Sequence, residues 1–253
     1  MRRLITTMIA VVMSLGTAAT PAAESHAVAL QHWERVLRSH VDATGAVDFA
    51  GLARAPQELQ AFVGYIAQVS PESAPEAFPT LESRLAFHIN AYNALAMHNV
   101  IDSGIPESLA GFRKIIFFVF KRYRIGGKSM SLYGYENDVI RKLGDERVHF
   151  ALNCMSTGCP QLPQEAFFAE RLDAQLDRES RRFFADSRHL QRDDAARKVR
   201  LSEILKFYTE DFLKRSPDLI AYVNRYLPEK IPGDYQVEFI DYDWTVKAQR
   251  LSR

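Results

Sequence analysis

The chain has 253 residues, with 32 Lys plus Arg against 31 Asp plus Glu and a formal net charge of +1. Its basic residues are spread along the chain instead of forming a stripe with interleaved aromatics, so composition points away from a nucleic-acid partner. Two cysteines are too few to staple a small scaffold, whereas 16 Phe and 10 Tyr supply an ordinary apolar core.

The start of the chain sets the compartment. "MRR" is basic, "LITTMIAVVMSLG" is apolar and "TAATPAAES" is small-residue chain suited to a signal peptidase. Residues 1–23 read as an export signal cleaved near Ala22 or Ala23, and the product is expected in the periplasm or secreted. The apolar stretch is short for a membrane span and no Cys follows it to be lipidated. The remainder, 24–253, is expected to form one domain with no later span, and its oligomeric state is not fixed by sequence.

"SHAVALQHWERVLRSHV" spaces Val28, Trp33, Val36, Leu37 and Val41 for a helix, and "DATGAVDFAGLA" reads as a turn and a short extended piece. "PQELQAFVGYIAQ" predicts a second amphipathic helix, followed by the surface connection "SPESAPEAFPT". Residues 81–104 predict a helix apolar nearly all round, whose polar exceptions His88, Asn90, Asn93 and His98 must be hydrogen-bonded internally or line a cavity. "KIIFFVF" reads as an apolar strand leading, through exposed "KRYR", to a Gly126-Gly127 hairpin turn. A helix ending at Gly144 follows, then "VHFALN" as a short strand. A helix through 165–186, a strand in "RKVRL", helices in 201–215 and 216–227 with Ser202 and Ser216 as N-caps, and a strand around "YQVEFIDYDWTV" complete the chain. Helices and strands in separate runs give an α+β class.

"VDATGAVDFAGL", "LAFHINAYNALAMHNVI", "YENDVIRK", "VHFALNCMSTGCPQL", "VRLSEILKFYTEDF" and "YLPEKIPGDYQVEFIDYDWTV" together resemble the exported bacterial family catalogued as domain of unknown function 547. The chain departs from it at His88, where the family usually has an aromatic such as Trp, and at Met155, where it usually has a small residue such as Gly. The resemblance implies a papain-like fold with a buried central helix packed on a small, mostly antiparallel sheet. It implies no reaction.

Both cysteines lie in "HFALNCMSTGCPQLP", 149–163. As a nucleophile, Cys154 needs an imidazole from His149 or His98, with Glu136 to orient it and Asn90 or Asn93 to receive an oxyanion. An extended strand would set His149 and Cys154 about 16 Å apart on opposite faces, which counts against that pair. Compartment and cysteine parity favour a Cys154–Cys159 disulfide instead. A redox couple lacks CxxC spacing, and zinc would require the cysteines, His149 and perhaps His98 to converge, so neither a metal nor another cofactor is expected. His32, His40 and His189 read as solvated, and "DYD", 241–243, as the outer face of a strand.

The leading expectation is a cleft around the cysteine loop that binds a peptide or small thiol with the cysteines bridged, Asn90, Tyr92, Asn93 and Asn153 contributing to the ligand site. The alternatives are a cysteine-dependent hydrolase or acyl transferase and a non-catalytic structural protein of the envelope.

Overall fold

The computed structural model describes residues 21–249. The export-signal reading, 1–23, lies at and beyond the edge of the described residues. Helix α1 (Pro21–His40) packs on α3 (Gln57–Gln68), and α3 on α4 (Leu81–Asp102). A capping box starts α4: the Ser83 N–H donates to Thr80 Oγ1 and the Thr80 N–H to Ser83 Oγ, both at 3.1 Å. Every residue from Leu85 to Met97 is buried, as an all-round apolar helix requires. Helix α2 (Phe49–Arg54) stands where an extended piece was expected, because the Asp48 carboxylate caps it by accepting from the Gly51 N–H.

The strand expected at "KIIFFVF" is helical: α5 (Phe112–Ile115) runs into a π-helical turn, Ile116–Phe120. A short apolar run carries no period that separates strand from helix. Here only Phe117 is buried while Ile115 and Val119 are exposed, which is not the alternation of a strand. The hairpin beyond it is β1 (Tyr123–Ile125) with β2 (Lys128–Met130), antiparallel about Gly126 and Gly127 at φ 54° and 82°. Next come α6 (Leu132–Tyr135), a π-helical turn Glu136–Ile140 and a 3₁₀ turn, closed by Gly144 at φ 84°. "VHFALN" is likewise not a strand; Glu146–Phe150 form a 3₁₀ helix whose Asp145 side chain caps it from the Arg147 N–H.

Helix α7 (Leu172–Ala185) precedes β3 (Leu190–Asp193) and β4 (Lys198–Ser202). Three short helices follow: α8 (Glu203–Phe207), α9 (Thr209–Leu213) and α10 (Leu219–Val223). Ser202 caps α8 as expected, but Asp218 and not Ser216 caps α10. Strand β5 (Gln236–Ile240) pairs parallel to β4, which pairs antiparallel to β3, Leu201 lying opposite Leu190 and Phe239. The class is therefore α+β with two small, open sheets, neither closed nor curled in a way that marks a papain-like fold. Helix α4 packs chiefly on other helices. Among the described residues no helix is long and apolar enough to cross a membrane.

Two apolar clusters make the core. One gathers α1–α4 with α6 and the start of α7; the other is an aromatic group of Phe150, Phe183, Phe184, Phe212, Tyr222 and Tyr226 against Val199 and Leu201. The chain from 148 to 162 runs between them, giving Val148, Leu152 and Met155 to the first and Phe150 to the second. The segment after β5 then clamps that chain: the Thr157 N–H donates to Thr245 O at 2.8 Å, Gly158 N–H to Asp243 O at 2.8 Å and Lys247 N–H to Met155 O at 2.9 Å.

Candidate functional site

The cysteine loop is held by amides from beneath. Asn93 donates through Nδ2 to Ala151 O at 3.0 Å and accepts at Oδ1 from the Asn153 N–H at 2.7 Å. Asn153 in turn donates to Pro160 O at 2.6 Å and accepts the Met155 N–H at 2.7 Å, folding the loop back on itself. Met155 thereby takes φ 70°, a left-handed conformation that glycine adopts far more readily than a residue with a Cβ. Asn90 serves a different joint, accepting from Trp33 Nε1 at 3.2 Å and from the Phe167 N–H at 2.9 Å while donating to Phe167 O at 2.8 Å.

Cys154 and Cys159 form a disulfide with Cα atoms 6.3 Å apart, within the ordinary bridging range. They are the only cysteines in the chain, so no free thiol remains and the cysteine-nucleophile reading is overturned. The bridge is covered: Tyr242 Oη lies 3.2 Å from Cys154 Sγ and 3.0 Å from Cys159 Sγ, and Ser156 Oγ lies 3.0 Å from Cys154 Sγ. Gly158 permits this cover, because a Cβ there would stand 2.9 Å from both the Tyr242 ring and Asp243 N.

Above the bridge lies a cavity of about 480 Å³. Both cysteines and Leu152 line it, the π-helical turns contribute Phe118, Val119, Glu136 and Asn137, and α8 with the C-terminal segment adds Phe207, Tyr208, Tyr242 and Trp244. Tyr92 and His149 reach the same space; His98, Asn90, Asn93 and Asn153 are not among its lining residues. His98, half-buried on the far end of α4, has its pKa lowered by burial.

Glu136 is 7% exposed and accepts from the Tyr92 hydroxyl at 3.0 Å, with the Tyr208 hydroxyl also directed at it. Burial and then Glu136 raise the pKa values of both phenols, which keep their protons. His149 does not orient on Glu136. Its Nε2 lies 3.0 Å from Asp211 Oδ2, Arg141 Nε donates to the same oxygen at 2.7 Å, and its ring stacks on Tyr208 with centroids 3.9 Å apart. The His149 contact, the larger cause, and Arg141 hold Asp211 well below the usual carboxylate range. Neither imidazole is a hydrogen-bond neighbour of a sulfur; those places go to Ser156 and Tyr242.

His189 departs from the sequence reading: expected to be solvated, it is 2% exposed and stacks on Phe183, and burial lowers its pKa to about 4. His88, as expected, is buried and hydrogen-bonded internally, 2.7 Å from the Tyr135 hydroxyl through Nδ1. "DYD" is not the face of a strand: β5 ends at Ile240, and Tyr242 turns in over the disulfide. Sequence reading also missed Tyr208, Asp211 and Trp244, for which the polar–aromatic texture of "FYTED" and "DYDW" was the available signal, and Arg141 and Phe118, which no such texture marks. Among the described residues no group of three or more His, Cys, Asp or Glu is arranged to hold a metal ion.

No curated protein and no solved structure matches the chain. Residues 78–184, which carry α4, both π-helical turns and the disulfide loop, match the model of the family described as "Protein of unknown function, DUF547".

Proposed function

We propose that the protein is an exported, non-catalytic envelope component whose single domain, 24–253, binds a short peptide in the aromatic cavity above the Cys154–Cys159 bridge. The observation that carries this reading is the cavity itself: about 480 Å³, walled by Tyr92, Phe118, Phe207, Tyr208, Tyr242 and Trp244, with the cysteines locked into its floor. Concave, largely apolar sites with a few placed polar groups are the usual form of a ligand pocket. A peptide fits better than a small thiol, because most of the lining is aromatic or aliphatic side chain and the Tyr242 hydroxyl already occupies one side of both sulfurs.

Trp244 makes the reading testable without a label. It lines the cavity, whereas Trp33, the other tryptophan, is 1% exposed between α1 and α4 and stacks on Phe62. Titration with N-acetyl-phenylalaninamide should give a saturable change in tryptophan emission that disappears in Trp244→Phe. A flat titration of folded protein would favour a purely structural role in the envelope.

A further inference from the structure

We infer that the cavity selects a ligand carrying a primary ammonium group on an apolar or aromatic body, with Glu136 as its counter-ion. This rests on the binding reading above. Buried carboxylates are ordinarily paired with a cation, since an isolated buried charge is costly. Among the described residues Glu136 accepts from the Tyr92 hydroxyl, lies against the Tyr208 phenol and makes no ion pair. Of the basic groups lining the same cavity, Arg141 hydrogen-bonds Asp211 and acts on Glu136 only through its charge, His149 turns to Asp211, and Lys114 stands 4.8 Å over the Trp244 ring.

The walls suit the same ligand. Faces of Tyr and Trp attract cations, most strongly where water is excluded, and Tyr92, Tyr208, Tyr242 and Trp244 share the space with Glu136. Phe118, Val119 and Phe207 continue the wall with purely apolar surface for the body behind the charge. An ammonium would supply the direct cationic donor that Glu136 lacks, adding to the more distant Arg141 charge, while the tyrosines continue to fix the carboxylate. A free amine and the N-terminus of a peptide present this same chemistry.

Two matched probe pairs separate those sources. 2-Phenylethylamine is compared with 2-phenylethanol, and Phe-Gly-Gly amide with its N-acetylated form, each followed by Trp244 emission and calorimetry at neutral pH. The charged member should bind about tenfold more tightly than its neutral partner, and the preference should vanish in Glu136→Gln, which can still accept from Tyr92. Preference in the small pair alone assigns a small amine; preference in both assigns a peptide terminus. Equal affinities within both pairs, or a preference that survives Glu136→Gln, would overturn the inference while leaving the cavity as a binding site. Absence of binding by all four probes would remove the binding reading and this one together.

An independent observation carries a second proposal. Of the large apolar side chains exposed on the described surface, Phe112, Ile115, Ile116, Val119 and Phe120 fall within nine consecutive residues of α5 and its π-helical extension. Between Glu107 and Glu136 there is no Asp or Glu, but Arg113, Lys114, Lys121, Arg122, Arg124 and Lys128 are present. Lys121 pairs with Asp102 and Lys114 also lies over Trp244, while Arg113, Arg122, Arg124 and Lys128 have no carboxylate partner among the described residues; exposed aromatic and aliphatic groups flanked by such basic ones match the interface of an anionic bilayer. We propose that this face docks on such a membrane surface, setting the cavity beside it.

Sedimentation with vesicles of phosphatidylcholine and phosphatidylglycerol, against phosphatidylcholine alone, provides the test. Binding to the anionic vesicles should fall steeply with added salt and drop about tenfold or more in Phe112→Ser/Phe120→Ser, whose positions are too exposed to unfold the chain. Failure to bind anionic vesicles, or binding equal in the variant, would overturn the proposal. Concentration-dependent self-association that the variant abolishes, without vesicle binding, would assign the face to a second copy of the chain instead.

Discussion

Asn93 commits both ends of its amide to the backbone that carries the cysteines, at Ala151 and Asn153. Leu at this position would leave a buried carbonyl and a buried N–H without partners, each costing about 1–3 kcal/mol. Asn93→Leu should therefore lower the urea midpoint and loosen the loop, and Asn90→Leu should do the same at the Trp33–Phe167 joint; unchanged midpoints would contradict this account. His189 gives a second residue-level expectation. Its folded pKa of about 4 lies below the ordinary 6.5, so the unfolded chain takes the proton first. Stability is then retained above pH 6.5 and declines as pH falls towards about 4, by up to about 3 kcal/mol for this group. His189→Gln should make that limb shallower but not flat, because burial also lowers the His26 pKa to about 4. Asp211 has the other common sign: its depressed pKa contributes stability present above the usual carboxylate pKa of about 4 and lost on further acidification. Urea midpoints measured from pH 8 to 3 in wild type and variant check all three groups.

At the scale of elements, the disulfide closes a small ring, its cysteines five residues apart in sequence. Chain-entropy reasoning credits such a ring with about 2 kcal/mol, so Cys154→Ser/Cys159→Ser should remain folded with a correspondingly lower midpoint. A loss far larger would mean that the bridge organises more than its own loop. Gly158→Ala should displace Tyr242 from the sulfurs, read out as faster reduction of the bridge by dithiothreitol than in wild type. The long helices were legible because their apolar spacing persists over several turns: Trp33, Val36 and Leu37 in α1, and Leu59, Phe62 and Ile66 in α3, are all buried. The hairpin was legible from Gly126-Gly127, whose positive φ values a paired turn requires. "KIIFFVF" and "VHFALN" were not, since runs this short carry no period that separates strand from helix. Strand β3 was hidden because "LQRD" is almost entirely exposed and gains its identity only from pairing with β4.

At the scale of the molecule, the cavity forms where the two apolar clusters meet, and its wall is assembled from chain segments far apart in sequence. Glu136 and Cys154 could be singled out as chemistry-bearing residues, but their neighbours Tyr208 and Tyr242 arrive only through the packing of α8 and the returning C-terminal segment. That is why the sequence located the loop and mispaired its imidazoles: His98 is adjacent in helical register to nothing in the site, and His149 is claimed by Asp211. Hydrogen bonds from Val47 to Lys247 and from Val246 to Glu107 tie the C-terminal segment to the first cluster, so the two clusters should melt together. Scanning calorimetry should show one transition with matching calorimetric and van't Hoff enthalpies, and two resolved transitions would contradict that coupling. The central claim is that the cysteines form the closed floor of a binding cavity and supply no reactive thiol. Mass spectrometry of native protein alkylated with iodoacetamide without reductant tests it most directly. The account predicts no adduct on the native chain and labelling of both Cys154 and Cys159 after denaturation and reduction; rapid labelling of Cys154 in the native, unreduced protein would contradict it.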